Sequence, residues 1–160
     1  MSAEIRPCPT CRGETELHSV ASASGREDPL AVTLRALPVQ RCRQGHVHFT
    51  SVDFPLTVLE HLIKEDEKQL PAAEKKGFIF KKFQCAQCDR ELLPDPDHRH
   101  SFEVEMTLPD VKAFIVELSM PVYKCAQCGK EQLHSLDEIR DHTPGALARA
   151  FEAAGVAREA

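Results

Sequence analysis

Apolar and polar residues alternate twice along the chain, and each alternation is followed by a stretch of helical spacing. In residues 101–106, Phe102, Val104 and Met106 fall on one side and Glu103 and Glu105 on the other, which is the two-residue period of a half-buried strand. Leu108-Pro109-Asp110 is turn chemistry, and the mostly apolar residues 111–118 return, so the pattern predicts a β-hairpin. The same arrangement occurs earlier, where residues 16–21 and 30–39 flank Ser24-Gly25-Arg26-Glu27-Asp28-Pro29 and Leu30, Val32 and Leu34 alternate with smaller or polar residues. Beyond the first hairpin, Asp53 is a cap and Pro55 a first-turn residue, with Leu56, Leu59, Leu62 and Ile63 at helical spacing through Gln69. Beyond the second, Ser135-Leu136-Asp137-Glu138 reads as a capping box. Thr143-Pro144 opens a last helix with Leu147, Ala150, Phe151 and Ala154 on one face and Gly155 past its end.

Each predicted hairpin lies between two cysteine motifs. Six of the seven cysteines form Cys-x-x-Cys pairs: Cys8/Cys11, Cys85/Cys88 and Cys125/Cys128. The seventh, Cys42, is followed four residues later by His46. Two side chains on one tight turn can point at a single ion, whose other two positions must be filled from elsewhere in the chain. Four pairs therefore make two tetrahedral sets: Cys8, Cys11, Cys42 and His46, and Cys85, Cys88, Cys125 and Cys128. This predicts two Zn2+ per chain. His48 is a second candidate for the fourth position of the first set; its plainer reading is a polar side chain on an exposed strand edge. A thioredoxin-like dithiol uses the same spacing but belongs to a βαβ pattern, which is not visible here.

The halves also match one another. Leu37-Pro38-Val39-Gln40-Arg41-Cys42 and Met120-Pro121-Val122-Tyr123-Lys124-Cys125 share an apolar residue, Pro-Val, a variable residue, a base and Cys at an offset of 83. The expected architecture is small α+β, with two tandem zinc-ribbon modules of rubredoxin-like knuckles, each carrying a β-hairpin and a trailing helix. The first module covers residues 1–70, a linker and entry strand residues 71–83, and the second module residues 84–160. Gly45 is expected to give the first module room for a longer turn, so that its fourth ligand slips to His46. Modules of this size hold a marginal core, and metal binding would supply part of their folding free energy.

Composition narrows the function. The chain has 160 residues, 42% hydrophobic, with no Trp and a formal charge of −5. No apolar run approaches the ~20 residues of a membrane-spanning helix, and the first residues lack a charged-then-apolar export pattern. Paired cysteines without such a pattern point to metal ligation in a reducing cytoplasm. From Gln84 onward acids outnumber bases 14 to 8, so broad contact with phosphates is not expected. One segment, Lys75-Lys76-Gly77-Phe78-Ile79-Phe80-Lys81-Lys82-Phe83, interleaves bases with aromatics as single-stranded nucleic-acid platforms do. Its plainer reading is a strand entering the third knuckle. His98, His100, His134 and His142 read as exposed histidines rather than a third metal site.

Cys8-Pro9-Thr10-Cys11 followed by Pro38-Val39-Gln40-Arg41-Cys42, and the fuller knuckle Pro121-Val122-Tyr123-Lys124-Cys125-Ala126-Gln127-Cys128-Gly129, resemble bacterial zinc-ribbon proteins. The chain is also somewhat similar to the zinc domain of MqsA/YgiT-type antitoxins. That resemblance implies a structural metal, with DNA binding left to a separate helix-turn-helix domain. Here the zinc module is doubled and no helix-turn-helix follows. The sequence thus predicts a non-enzymatic, structural zinc protein acting as a protein-interaction or scaffolding module, with a protein partner. A nucleic-acid-binding regulator using Lys75, Lys76, Lys81 and Lys82 and a redox-active dithiol protein are the alternatives.

Overall fold

In the first hairpin, strand β1 (Thr15–Glu27) runs antiparallel to β2 (Leu30–Cys42), with Glu27 opposite Leu30. The computed structural model describes residues 6–69, 72, 74–76, 82–92, 96, 98–109, 111–133 and 140–156. After β2 come β3 (Val47–His48) and helix α1 (Phe54–Gln69). A short ladder of β4 (Glu74–Lys76) and β5 (Lys82–Gln84) leads to the second hairpin, β6 (His98–Met106) and β7 (Phe114–Lys124). Strand β8 (Glu131–Gln132) and helix α2 (Thr143–Ala153) are the last elements among the described residues. The chain is a small α+β protein.

The hairpins do not stand apart. Residues 31–35 of β2 pair antiparallel with 115–119 of β7, which gives one sheet in the order β1-β2-β7-β6. β3 extends it beside β2 and β8 beside β7. Alternation then places the apolar residues on one face: Leu30, Val32 and Leu34 from β2, Phe114, Val116, Leu118, Met120 and Val122 from β7, and Phe102 and Met106 from β6. These side chains form a single core with Phe54, Val58 and Leu62 of α1 and Ala146, Leu147, Ala150 and Phe151 of α2. On the other face Arg35 of β2 reaches Glu117 of β7 and Glu103 of β6, crossing the junction of the hairpins. At Ala36 the backbone turns left-handed (φ 57°). There β2 leaves β7 and its inward phase moves from Leu34 to Leu37 and Val39.

The helices are exchanged between the halves. α2, which follows the second hairpin, lies on β1 and β2, whereas α1, which follows the first, packs against β6 and α2. The residues after each helix continue the exchange: Ala72 forms a parallel bridge with Leu133, and Val156 one with Val47. The expected arrangement, in which each hairpin carries the helix that follows it, is therefore corrected. Local periodicity shows that a helix has an apolar face but not which hairpin that face meets.

The α1 face is corrected at one position: Leu62 is buried and Leu59 packs partly against the core as expected, with Phe54 and Val58 beside them, while Leu56 is 58% exposed. The 135–138 capping box lies outside the described residues. Gly155 ends α2 in the left-handed conformation (φ 84°), as a helix-terminating glycine should.

α2 crosses β1 so closely that Gly25 touches helix backbone. A Cβ at that position would press on the backbone of Ala146, Arg149 and Ala150, well inside van der Waals contact. Helix backbone cannot move aside as a side chain can. Gly25→Ala should therefore cost about 1–3 kcal/mol, the usual range for overpacking, measured by urea unfolding. An unchanged midpoint would show that α2 does not sit on β1.

Candidate metal centres

Each cysteine motif is a backbone turn that aims its side chains before any metal is considered. In three of them the first cysteine's N–H donates to the carbonyl five residues on: Cys8 to Gly13 at 2.9 Å, Cys85 to Arg90 at 2.7 Å and Cys125 to Lys130 at 3.0 Å. The residue four past the first cysteine is left-handed in all three, namely Arg12 (φ 59°), Asp89 (φ 64°) and Gly129 (φ 74°). The Cys42 turn differs. Its N–H closes on His46, only four residues on, and the left-handed residue is Gly45 (φ 89°), three past the cysteine. The loop is one residue shorter than its counterparts, not longer as expected. The donor side chain follows the bend instead of preceding it, which explains why a long imidazole stands there.

These turns meet in two quartets. Cys8, Cys11, Cys42 and His46 form one and Cys85, Cys88, Cys125 and Cys128 the other, with the donor atoms of each within 4.8 Å of one another. In the first, His46 Nδ1 lies 3.6 Å from Cys8 Sγ and 3.3 Å from Cys42 Sγ, and Cys11 and Cys42 Sγ are 3.8 Å apart. In the second, Cys85 and Cys128 Sγ are 3.5 Å apart, and Cys88 and Cys125 Sγ 3.4 Å. A tetrahedral ion bound to sulfur at ~2.3 Å and nitrogen at ~2.05 Å needs edges of about 3.8 Å (S to S) and about 3.6 Å (S to N). The quartets have that size, and soft sulfur with imidazole suits zinc. Because β2 and β7 run antiparallel, with Cys42 at the end of one and Cys125 just past the other, the quartets sit at opposite ends of the central strand pair.

The electrostatics call for a cation. Burial opposes ionisation of Cys8, but the backbone amides of Cys11 and Thr10, aided by the side chains of Cys11 and His48, hold its pKa down at about 5. Burial likewise opposes ionisation of Cys85, and the Gln132 amide with the backbone of Cys88 and Gln87 brings it to about 6. Cys88 is pushed up to about 12: the Arg90 amide favours its thiolate, but the Cys125 thiol, burial and the other sulfurs outweigh it. Cys11 and Cys128 are raised for related reasons. Sulfurs this close cannot all carry charge alone, whereas a divalent cation would let each quartet ionise.

His48 does not lie on an exposed edge. It is 2% exposed, with Nε2 3.4 Å from Cys8 Sγ and 3.3 Å from Thr10 Oγ1, and it is outside the quartet. Gln132 is not among the residues expected from the sequence; it is fully buried and directs Nε2 at Cys85 Sγ from 3.2 Å. A signal for it existed. Shifting by 83 sets His48 against Glu131, and only the one-residue difference in loop length brings Gln132 into line.

The remaining candidates are dispersed. Lys75 and Lys76 lie on β4 and Lys82 on β5, with Lys76 opposite Lys82; Lys81 lies outside the described residues. His100 Nδ1 pairs with Glu131 at 3.1 Å, His98 and His142 line a groove with Arg99 and Tyr123, and His134 is outside the described residues. No other group of three or more possible metal ligands occurs among the described residues, nor does any helix among them have the length and apolarity to cross a membrane. Compared with known proteins, the chain matches no protein-family model, no curated protein and no solved structure.

Proposed function

We propose that the chain is a structural zinc protein that holds two Zn2+ ions and serves as a protein-interaction or scaffolding module. The observation that carries this reading is the pair of quartets, each with four donors at tetrahedral spacing on tight turns. Four protein donors leave no open position for water or substrate, so the ions would support the fold rather than catalyse. The turns and the hairpins between them support zinc-ribbon modules over residues 1–70 and 84–160, with 71–83 joining them. Paired thiols kept for metal fit a reducing, cytoplasmic setting.

A protein partner is supported by apolar side chains left in solvent: Val52, 70% exposed, and Leu56 one helical turn beyond it at the start of α1, with Leu17 exposed on β1. Native mass spectrometry of the protein taken from cell extract tests both parts. Two zinc ions per chain and a co-purifying protein are expected. One ion or none overturns the metal reading, and a bare monomer with two ions overturns the partner reading.

A further inference from the structure

His48 and Gln132 occupy matching places. β3 pairs with β2 so that His48 faces Gln40, two residues before Cys42; β8 pairs with β7 so that Gln132 faces Tyr123, two residues before Cys125. Both side chains are buried, and each brings a nitrogen to the first cysteine of its quartet: His48 Nε2 to Cys8 Sγ at 3.4 Å and Gln132 Nε2 to Cys85 Sγ at 3.2 Å.

The chemistry of the two contacts follows from what each partner can do. Gln132 Oε1 accepts a hydrogen bond from the Ala86 N–H at 2.8 Å. A backbone N–H only donates, so the amide is oriented with its NH2 toward sulfur, and Nε2 also donates to the Lys130 carbonyl. A metal-bound thiolate only accepts, so the matching contact of His48 requires the tautomer with hydrogen on Nε2, shared with Thr10 Oγ1. The backbone amides of the turns serve every knuckle; these two side chains add one further N–H to Cys8 and to Cys85.

We propose that His48 and Gln132 are the paired positioning residues of the two metal centres. Each donates a side-chain N–H to the first thiolate of its quartet, fixes where that sulfur stands and withdraws charge from it, so that the bound ion is held tightly. This rests on the zinc reading above. Outer hydrogen-bond partners of metal ligands are generally worth 10–100-fold in affinity.

The test begins with wild-type protein loaded with NMR-active cadmium. Two resonances are expected, one for a three-sulfur, one-nitrogen site and one for a four-sulfur site; fewer would fail the metal reading itself, independently of this proposal. With both present, the Gln132 side-chain amide proton should show coupling to cadmium through Cys85 sulfur, and the His48 Nε2 proton through Cys8 sulfur. Absence of both couplings overturns the proposal without any variant.

Variants then measure the effect. Gln132→Leu and Gln132→Met both remove the donor at similar volume; each should weaken the four-sulfur site about 10–100-fold and leave the other unchanged. In cobalt-loaded protein the sulfur-to-metal charge-transfer band should move to lower energy, which a purely structural role would not produce. His48→Gln should preserve the first site, because glutamine supplies the same donor. Unchanged affinity and band position in Gln132→Leu and Gln132→Met would overturn the proposal. So would loss of the first ion in His48→Gln, since His48 would then be a ligand.

Discussion

Replacing Cys125 with Ser should leave one zinc ion per chain and lower the stability of the whole molecule, not of one half. A serine hydroxyl is protonated at neutral pH and offers zinc a poor ligand, so the second quartet would be reduced to three thiols. Structural zinc in small domains is worth about 10–16 kcal/mol of binding free energy, so even a partial loss is large beside a typical stability of 5–15 kcal/mol. Cys125 follows directly on β7, and β7 is paired on one side with β6 and on the other with β2. Slack introduced at that end is carried into a core to which both hairpins contribute. Calorimetry of Cys125→Ser should show one transition at a markedly lower temperature, with one zinc by elemental analysis. Two separated transitions, one at the wild-type temperature, would mean that the hairpins unfold independently.

Phe54→Ala should cost about 3–5 kcal/mol, the range for removing a buried phenylalanine. Phe54 opens α1 and is almost completely buried. Its ring lies 5.7 Å from Phe49, 5.6 Å from Phe114 and 6.4 Å from Phe151, centroid to centroid. Those partners come from the loop after β3, from β7 and from α2, so the cavity would open where the two halves and both helices meet. For a chain of this length each kcal/mol lowers the melting temperature by roughly 2–4 °C, so a fall on the order of 10 °C is expected in the metal-loaded protein. A loss below about 1 kcal/mol would show that the aromatic cluster relaxes around the gap and is not the joint of the fold.

The local parts of this structure are legible in the sequence because they depend on neighbours. The alternation of Phe102, Val104 and Met106 specifies a strand, and the spacing of Cys85 and Cys88 specifies a turn that aims both sulfurs one way. The four cysteine motifs come together as the ligand count anticipates. What is not legible depends on partners far away in the chain. Nothing in residues 31–35 distinguishes pairing with β1 alone from pairing with β7 as well, since both leave the same side chains inward. Leu56 fits a helical stripe on paper, yet the face that meets the core is set by Phe54, Val58 and Leu62. Gln132 is not legible as a site residue, and His48 is legible only as a candidate ligand or an edge residue, because each is one polar residue in a two-residue strand and only the sheet register puts them in matching places.

The helix exchange bears on how such a chain is assembled. Each hairpin is roofed by a helix encoded in the other half, and each post-helix residue bridges back to the other side. In thermodynamic terms the molecule is a two-subunit complex whose subunits share one backbone, and the link between them makes an otherwise concentration-dependent association intramolecular. A ribosome releasing only the first 70 or so residues delivers a hairpin with no roof and a helix with no floor. Folding must then wait for the second half, so an incomplete chain would be exposed to proteolysis with its first set of cysteines already made.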